Sequence, residues 1–318
     1  MNNAISKSLL CIIGPTASGK SQLALELCRK GLFYRPEIIS MDSAQIYQNI
    51  DIATAKPNKN EQNEVKHHLI DICDPKDSYS VNKFIEDTLR AISNIEKKKG
   101  TPIIVGGTMM YFDRLINGIH SVPKIPDYVR SQIIFEGNKK GWPSLHNKLK
   151  TIDQNLAKKI APFDSQRIQR GLEVWMHTGK TLSDWIHSSK TKNLNRDVNY
   201  VFKTIALVLK DRSNLHKKIK IRFKNMLKNG LIEEVLKLKE RGDLYPSLPS
   251  IRIVGVKQVW EYLDNKSSID DLIFKSTAAT RQLAKRQLTW LRSFKNINVI
   301  DCDEIDLNQI ISICESSS

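Results

Sequence analysis

Short runs of branched apolar residues alternate with amphipathic stretches along much of the chain. Five runs have the length and composition of buried strands, at residues 8–13, 37–41, 102–105, 201–209 and 298–300. Apolar positions spaced three or four residues apart predict helices, chiefly at residues 22–30, 81–98, 212–229, 231–241 and 268–292. Because buried strands alternating with helices are typical of a parallel sheet covered by helices, we predict an α/β fold.

The pattern changes between residues 116 and 196. This stretch has no convincing strand, and helical spacing dominates it, as over residues 164–178. A chain of 318 residues also exceeds the usual size of one domain. We predict a parallel-sheet core formed by residues 1–115 and 197–318, with basic helices at its C-terminal end, and an inserted all-helical domain formed by residues 116–196. Its three tryptophans are interpreted as core residues, namely Trp142, Trp175 and Trp185.

Composition indicates the cellular compartment in which we expect to find the protein. The longest apolar run, residues 9–13, is too short to cross a bilayer, and residues 1–7 do not resemble a secretion signal. The five cysteines are scattered and never form a C-x-x-C pair, so no disulfide framework or zinc cluster is indicated. We expect a cytoplasmic protein that does not bind a membrane.

The formal charge of +16 favours a polyanionic partner such as nucleic acid, although a general lysine bias would give a similar excess. The location of the charge favours the first explanation. Residues 274–295 contain six basic side chains and no Asp or Glu, and Arg281, Lys285 and Arg292 can share one helical face. A face of one sign is suited to contacts with phosphates.

A phosphate-binding loop follows the first predicted strand. Residues 14–21 (GPTASGKS) fit the pattern G-x-x-x-x-G-K-[ST] and stand between a strand and a helix. In such a loop the backbone amides and the lysine contact phosphate oxygens, and the final Ser21 can bind Mg²⁺. The pattern predicts a diphosphate-type ligand without deciding whether that ligand is a nucleotide. The predicted diphosphate-binding residues are Gly14, Thr16, Ala17, Ser18, Gly19, Lys20 and Ser21.

One carboxylate stands where it could act on a ligand held by this loop. The strand at residues 102–105 ends in Gly106, Gly107 and Thr108 rather than in the acid that an ATP-hydrolysing site needs. Asp42 instead follows the apolar residues 38–41, at the carboxyl end of a predicted strand, where it would face the ligand crevice. Asp42 is a candidate base, or else a helix N-cap with a purely structural role.

Four of these segments resemble the tRNA dimethylallyltransferase family, at residues 14–21, 42–47 (DSAQIY), 53–57 (ATAKP) and 105–108 (VGGT). Further segments that resemble the family follow in the family's order, at residues 68–71, 164–170, 179–181, 248–255 and 280–290. The resemblance spans nearly the whole chain and is of the bacterial type. Two departures could reshape the isoprenoid pocket, namely Ala53 in place of glycine and the pair Met109 and Met110 after Thr108.

This resemblance implies a P-loop NTPase-like core whose loop holds dimethylallyl diphosphate with Mg²⁺. It implies transfer of the dimethylallyl group to the N6 amine of the adenosine 3′ to the anticodon, with Asp42 taking or orienting the proton and with Arg222 and Thr108 assisting. The implied partner is a tRNA anticodon stem-loop, and we expect a monomer. The implied tRNA-binding residues are Asp42, Ser43, Ala44, Gln45, Thr108, Arg130, Gln166, Arg167, Arg170, Arg252, Gly255, Arg281, Gln282, Lys285 and Arg286.

Three other functions remain open from the residues alone. A small-molecule kinase would share the phosphate loop, but it should carry a metal-binding acid after a core strand. A transferase that acts on free adenine nucleotides would not need a helical insertion or a basic helix. A non-catalytic RNA-binding protein would leave the phosphate loop and Asp42 without a role.

Overall fold

The computed structural model describes residues 7–120, 122–188 and 200–315. The chain divides into two compact units, which we call the sheet unit (Met1–Ile116 and Val198–Ser318) and the helical unit (Asn117–Asp197). The second predicted boundary, at residues 196 and 197, lies outside the described residues. No helix in the described ranges is both long and apolar enough to cross a membrane.

The sheet unit is built on six parallel strands in the order β3-β2-β4-β1-β5-β6. The five predicted strands are present, and the α/β prediction is confirmed. The short edge strand β3 was not predicted, because two residues carry no recognisable period. The strands are β1 (Lys7–Ile13), β2 (Pro36–Met41), β3 (His67–His68), β4 (Thr101–Gly106), β5 (Tyr200–Val208) and β6 (Asn298–Asp301).

Helices connect these strands and extend beyond the last of them. The first part of the sheet unit contains α1 (Lys20–Arg29), α2 (Lys59–Glu64), α3 (Val81–Lys97) and α4 (Met109–Asn117). The helical unit contains α5 (Asp127–Lys140), α6 (Trp142–Ile152), α7 (Gln154–Ala157), α8 (Ser165–Thr178) and α9 (Leu182–Ser188). The remainder contains α10 (Arg212–Lys228), α11 (Leu231–Glu240), α12 (Val256–Leu263), α13 (Ile269–Leu291) and α14 (Leu307–Glu315).

The central strand β1 anchors the main core. Leu10 and Ile12 pack with Leu23 and Leu27 of α1 and with Ile205 of β5, and all five side chains are buried. Burying one such side chain contributes about 1.5–3 kcal/mol to folding. The carboxyl ends of β1, β2 and β4 are therefore held firmly, and the loops that follow them begin from fixed points.

A second apolar cluster supports the long loop after β2. Ile46 and Ile50 of that loop are buried against Phe223 of α10 and Leu231 of α11. The carboxylate of Glu234, on α11, also accepts hydrogen bonds from three successive loop amides at 2.7–3.0 Å, those of residues 51, 52 and 53. This loop is thus fixed by both packing and backbone hydrogen bonds, although it has little regular structure.

The helical unit has its own core, which α5, α6 and α8 build around Val129, Leu149 and Ile168. Trp142 and Trp185 pack against this core as expected. The same interpretation is wrong for Trp175, since 37% of its surface is exposed. It follows the buried Val174 on α8, and successive helical residues point in different directions.

Candidate active site

The phosphate loop connects β1 to the first turn of α1. Gly19 precedes the helix with φ of 81°, and Ala17 is also left-handed, with φ of 64°. A non-glycine residue in this region costs about 1–2 kcal/mol, so the surrounding structure must impose the conformation of Ala17. The first-turn amides of a helix have no partner within it and carry partial positive charge. Anion binding at this point of the sheet is therefore favoured.

Lys20 begins α1 and is half-buried beside the loop. Its Nζ donates a hydrogen bond of 3.3 Å to the carbonyl oxygen of Pro15. Burial lowers the pKa of Lys20 to about 8, while the nearby charge of Asp42 raises it and that of Arg222 lowers it. A bound diphosphate would offset the free-energy cost of burying this cation, so the site is electrostatically suited to an anionic ligand.

Asp42 directly follows β2, at the position predicted for it. Its Oδ1 accepts hydrogen bonds from the backbone amides of Ala44 at 2.8 Å and of Gln45 at 3.4 Å. Asp42 therefore also has the structural role considered for it, since its carboxylate caps a turn, although no helix begins there. These bonds fix the carboxylate of Asp42, and Asp42 lines the adjoining cavity.

Thr108 follows β4 and ties its loop to the loop after β2. The Oγ1 of Thr108 accepts a hydrogen bond of 2.9 Å from the amide of Ser43 and donates one of 3.3 Å to the Ser43 hydroxyl. Gln45 provides a second tie, because its Nε2 donates to the carbonyl oxygen of Ala55 at 3.2 Å and its Oε1 accepts from Ser40. The segment around Asp42 is thus held from both sides.

Arg222 projects from α10 into the same site and is half-buried. Burial lowers the pKa of its guanidinium, and the charge of Asp42 opposes that effect. Within the described parts of the chain, Arg222 forms no ion pair. A half-buried arginine beside a phosphate loop without a carboxylate partner is suited to binding the oxygens of a diphosphate.

These groups surround two adjoining cavities. A cavity of about 150 Å³ is lined by the phosphate loop, Asp42 and Arg222, and its wall also includes Ala53 and Gly255. A wider cavity of about 510 Å³ is lined by Met109 and Met110, the two methionines that depart from the family pattern, and by several aromatic and basic side chains. Both cavities share Asp42, Ala44, Ile253, Val254, Leu283 and Gln287. Asp42 thus stands where a ligand in one cavity meets a ligand in the other.

The donor set is compatible with Mg²⁺ bound through a substrate. Ser21 and Asp42 line the smaller cavity and offer oxygen atoms. No group of three His, Cys, Asp or Glu side chains in the described residues could hold a metal alone. Mg²⁺ is commonly held by few protein oxygens plus phosphate oxygens and water, so these residues fit a phosphate-bridged ion.

The predicted tRNA-binding residues of the sheet unit are distributed over the two cavities and the surface of α13, with Gln45 and Gly255 at the smaller cavity. Arg252 and Arg286 line this cavity together with Trp290 and Tyr111. On α13, Gln282 and Lys285 are exposed and Arg281 is half-buried. None of these basic residues forms an ion pair with a described residue, so their charges are available to phosphates.

The remaining predicted tRNA-binding residues belong to the helical unit. Gln166 is exposed, and Arg167 pairs with Asp164 at 3.2 Å. Arg130 of α5 and Arg170 of α8 both pair with the buried Glu173, at 3.4 and 2.8 Å. These two arginines, which are distant in the sequence, therefore form one cluster. Glu173 was missed, because a single glutamate in a helical pattern gives no sign that it is buried.

Gln287 was also missed. Its Oε1 accepts a hydrogen bond of 2.9 Å from the amide of Thr16, and its Nε2 donates one of 2.8 Å to the carbonyl oxygen of Gly107. The amide of Thr16, which was expected to face a diphosphate, is thus directed to a side chain. Gln287 lies within a segment that resembled the family, but nothing in its own surroundings indicated a contact with two loops.

Residues 45–294 match the family model described as IPP transferase. The chain belongs to the IPP transferase family. It is 45% identical over 294 residues to the tRNA dimethylallyltransferase of Paraburkholderia phymatum, a match that covers 92% of each chain. The enzyme of that name from Paraburkholderia xenovorans is 44% identical over 302 residues, covering 95% of each. The family resemblance is therefore confirmed, and these relatives favour neither a kinase nor a transferase acting on free nucleotides.

Solved structures agree with these matches. The full-length tRNA isopentenylpyrophosphate transferase from Bacillus halodurans superposes with a TM-score of 0.67 at 32% identity, covering 96% of this chain and 93% of that one. A eukaryotic dimethylallyltransferase captured acting on tRNA gives a TM-score of 0.76 at 28% identity, covering 96% and 75%. The P-loop character of the fold is confirmed by these neighbours.

Proposed function

We propose that this protein transfers a dimethylallyl group from dimethylallyl diphosphate to the N6 amine of the adenosine 3′ to the anticodon of tRNA. One observation supports this most strongly. Asp42 stands on the wall shared by a small cavity containing the phosphate loop and a wider cavity lined by aromatic and basic side chains. A donor held by its diphosphate and an acceptor base could therefore meet at one carboxylate.

In the proposed reaction the adenosine N6 attacks the allylic carbon and the bond from that carbon to the diphosphate oxygen breaks. Asp42 accepts the proton from the amine through Oδ2 while Oδ1 keeps its two backbone hydrogen bonds. The electron pair leaves with the diphosphate, whose added charge Lys20, Arg222 and the amides of α1 stabilise. Mg²⁺, held by Ser21 and the diphosphate oxygens, would supply further neutralisation of the leaving group.

The wider cavity is suited to a base withdrawn from its stack. Tyr111 and Trp290 offer aromatic surfaces, and Arg252 and Arg286 offer cations for the flanking phosphates. The exposed basic residues of α13 would extend these contacts along the anticodon stem-loop. We expect the protein to act as a monomer in the cytoplasm, where its tRNA substrate is found.

The direct test supplies Mg²⁺, radiolabelled dimethylallyl diphosphate and unmodified tRNA with adenosine after the anticodon. ATP and AMP serve as separate controls. Label in tRNA without ATP is the expected result, and mass spectrometry of the digested tRNA should place it on that adenosine. Label only in AMP would replace the acceptor with a free nucleotide, and consumption of ATP without transfer would refute the proposal.

Asp42 would act both as the base and as the acceptor that holds a turn, and one variant can separate these two roles. Asp42→Asn keeps an Oδ1 that can accept from the amides of Ala44 and Gln45, but it removes the basic carboxylate. We expect transfer to fall by at least about 100-fold, as for loss of general base catalysis, with tRNA affinity nearly unchanged. Full activity of Asp42→Asn together with a poorly active Asp42→Ala would reduce Asp42 to a turn-forming residue.

A further inference from the structure

Gln287 faces the site from near the C-terminal end of α13. It lies on the helical face that carries Thr280 and Leu283, and it borders both cavities. Its side chain is half-buried. The opposite ends of one carboxamide bind two separate loops, since Oε1 accepts from the amide of Thr16 and Nε2 donates to the carbonyl oxygen of Gly107.

The two loops have different roles in the proposed reaction. Thr16 belongs to the phosphate loop, which would hold the donor. Gly107 precedes Thr108, and Thr108 fixes Ser43 beside Asp42 through its hydrogen bond to the Ser43 amide. One side chain therefore links the donor-holding loop to the loop that supports the acceptor side.

The chemistry of this link is specific to glutamine. One end must accept and the other must donate, so a glutamate at this position would face the Gly107 carbonyl with an oxygen. Asparagine is one methylene shorter. Space is also limited, because a Cβ built on Gly107 would lie 2.7 Å from the Nε2 of Gln287 and 3.2 Å from the carbonyl oxygen of Gly14. Gly107 is thus needed for the amide of Gln287 to reach its partner.

We propose that Gln287 is a positioning residue that sets the distance between the phosphate loop and the Thr108 loop. This inference rests on the proposed transfer reaction. Through that distance Gln287 fixes the gap between the allylic carbon and the attacking amine without binding either substrate. Because a misplacement of about 1 Å can cost about 100-fold in rate, loss of the link should lower kcat far more than it lowers affinity.

The test compares Gln287→Ala, Gln287→Glu, Gly107→Ala and the double variant Gln287→Ala with Gly107→Ala. Gln62→Ala is the matched control, because the half-buried Gln62 also donates from Nε2 to a backbone carbonyl, that of Pro57 at 2.7 Å, away from these loops. Rates are measured under single-turnover conditions and divided by the concentration of protein that binds tRNA. This correction removes any loss that comes only from misfolded protein.

We expect Gln287→Ala and Gln287→Glu to lower the corrected rate by about 10- to 100-fold, with the KM for dimethylallyl diphosphate and the Kd for tRNA changed by no more than about twofold. Gly107→Ala should cause a similar loss by displacing the carboxamide. The double variant should lose little more than Gln287→Ala, since the 2.7 Å collision disappears with the side chain and only the 3.2 Å approach to the Gly14 carbonyl oxygen remains. Gln62→Ala should behave as the unmodified protein.

Any one of three rate results would overturn the inference. They are a wild-type rate in Gln287→Ala, a wild-type rate in Gln287→Glu, or losses that multiply in the double variant. A loss confined to the KM for the diphosphate would also overturn it, because it would make Gln287 a binding residue. Absence of transfer by the unmodified protein is a different failure, which would remove the proposed function itself.

Discussion

The sheet unit and the helical unit place their charged groups in different ways. In the sheet unit, Asp42 stands on the loop after β2 and Lys20 at the start of α1, and the side chain of each forms hydrogen bonds to nearby backbone groups. In the helical unit, Arg130 and Arg170 project from two helices and are fixed by one side chain, the buried Glu173. The first arrangement depends on local backbone conformation, whereas the second depends on packing between distant segments.

This difference determines which substitutions should matter. A group held by backbone bonds can be changed with little effect on folding, so its loss should appear in the reaction. A buried carboxylate that holds two cations is part of the core, so its loss should appear first in stability.

The largest effect is expected for Glu173→Gln in the helical unit. Glu173 is 2% exposed and binds Arg130, Arg170 and Gln169, so its neutralisation removes the carboxylate that the two arginines share and leaves Arg130 only its 4.0 Å pair with the exposed Asp127. We expect the free energy of unfolding to fall by about 3 kcal/mol, toward the lower end for a broken buried pair because both arginines are half-exposed. Denaturant unfolding monitored by circular dichroism measures this change.

The matched control is Glu136→Gln on α5. The carboxylate of Glu136 forms two ion pairs at the surface, with Lys140 and with Lys148. This substitution should cost no more than about 1 kcal/mol. Equal losses for the two glutamates would contradict the assignment of Glu173 to the core. An effect of Glu173→Gln on tRNA affinity in protein that remains folded would show that the cluster also orients Arg130 and Arg170 toward RNA.

Lys20→Met tests the other side of the comparison. Removal of this cation from the phosphate loop should lower kcat/KM for dimethylallyl diphosphate by about 100-fold, as for loss of one preorganised stabilising group. Stability should not fall, because burial opposes the charged form of Lys20. Lys30→Met, at the other end of α1 and exposed, provides the control. A strong loss of stability with little change in the rate would reverse the contrast drawn between the units.

The pH dependence of donor binding should follow Lys20. Since its pKa is lowered to about 8, the free protein loses this charge as the pH rises through about 8, and diphosphate affinity should decrease by up to about tenfold between pH 7.5 and pH 9. Isothermal titration with inorganic diphosphate measures this decrease. The Lys20→Met variant should bind weakly at both pH values. A decrease of the same size in that variant would assign the titration to another group.

The contrast also explains what could be predicted from the sequence. The phosphate loop and Asp42 were predicted because a contiguous motif and the end of an apolar strand both report local backbone conformation. The contacts of Gln287 and Glu173 were not, because each joins segments far apart in the chain, Gln287 to Thr16 and Glu173 to Arg130. Helical spacing predicts that such residues are on helices, but it does not show which backbone or side chain they meet. The exposure of Trp175 was missed for the same reason.

The smallest effect tests the strained backbone of the phosphate loop. Ala17 adopts φ of 64°, a conformation that costs an alanine about 1–2 kcal/mol and a glycine almost nothing. Ala17→Gly should therefore raise the free energy of unfolding by up to about 1 kcal/mol, after the greater chain entropy of glycine is subtracted. Ala24→Gly, inside α1, should have the opposite sign, since glycine destabilises a helix interior by about 1 kcal/mol. Denaturation curves of both variants measure the two changes, and a loss of stability in Ala17→Gly would mean that the loop gains more from the methyl group than it loses by strain.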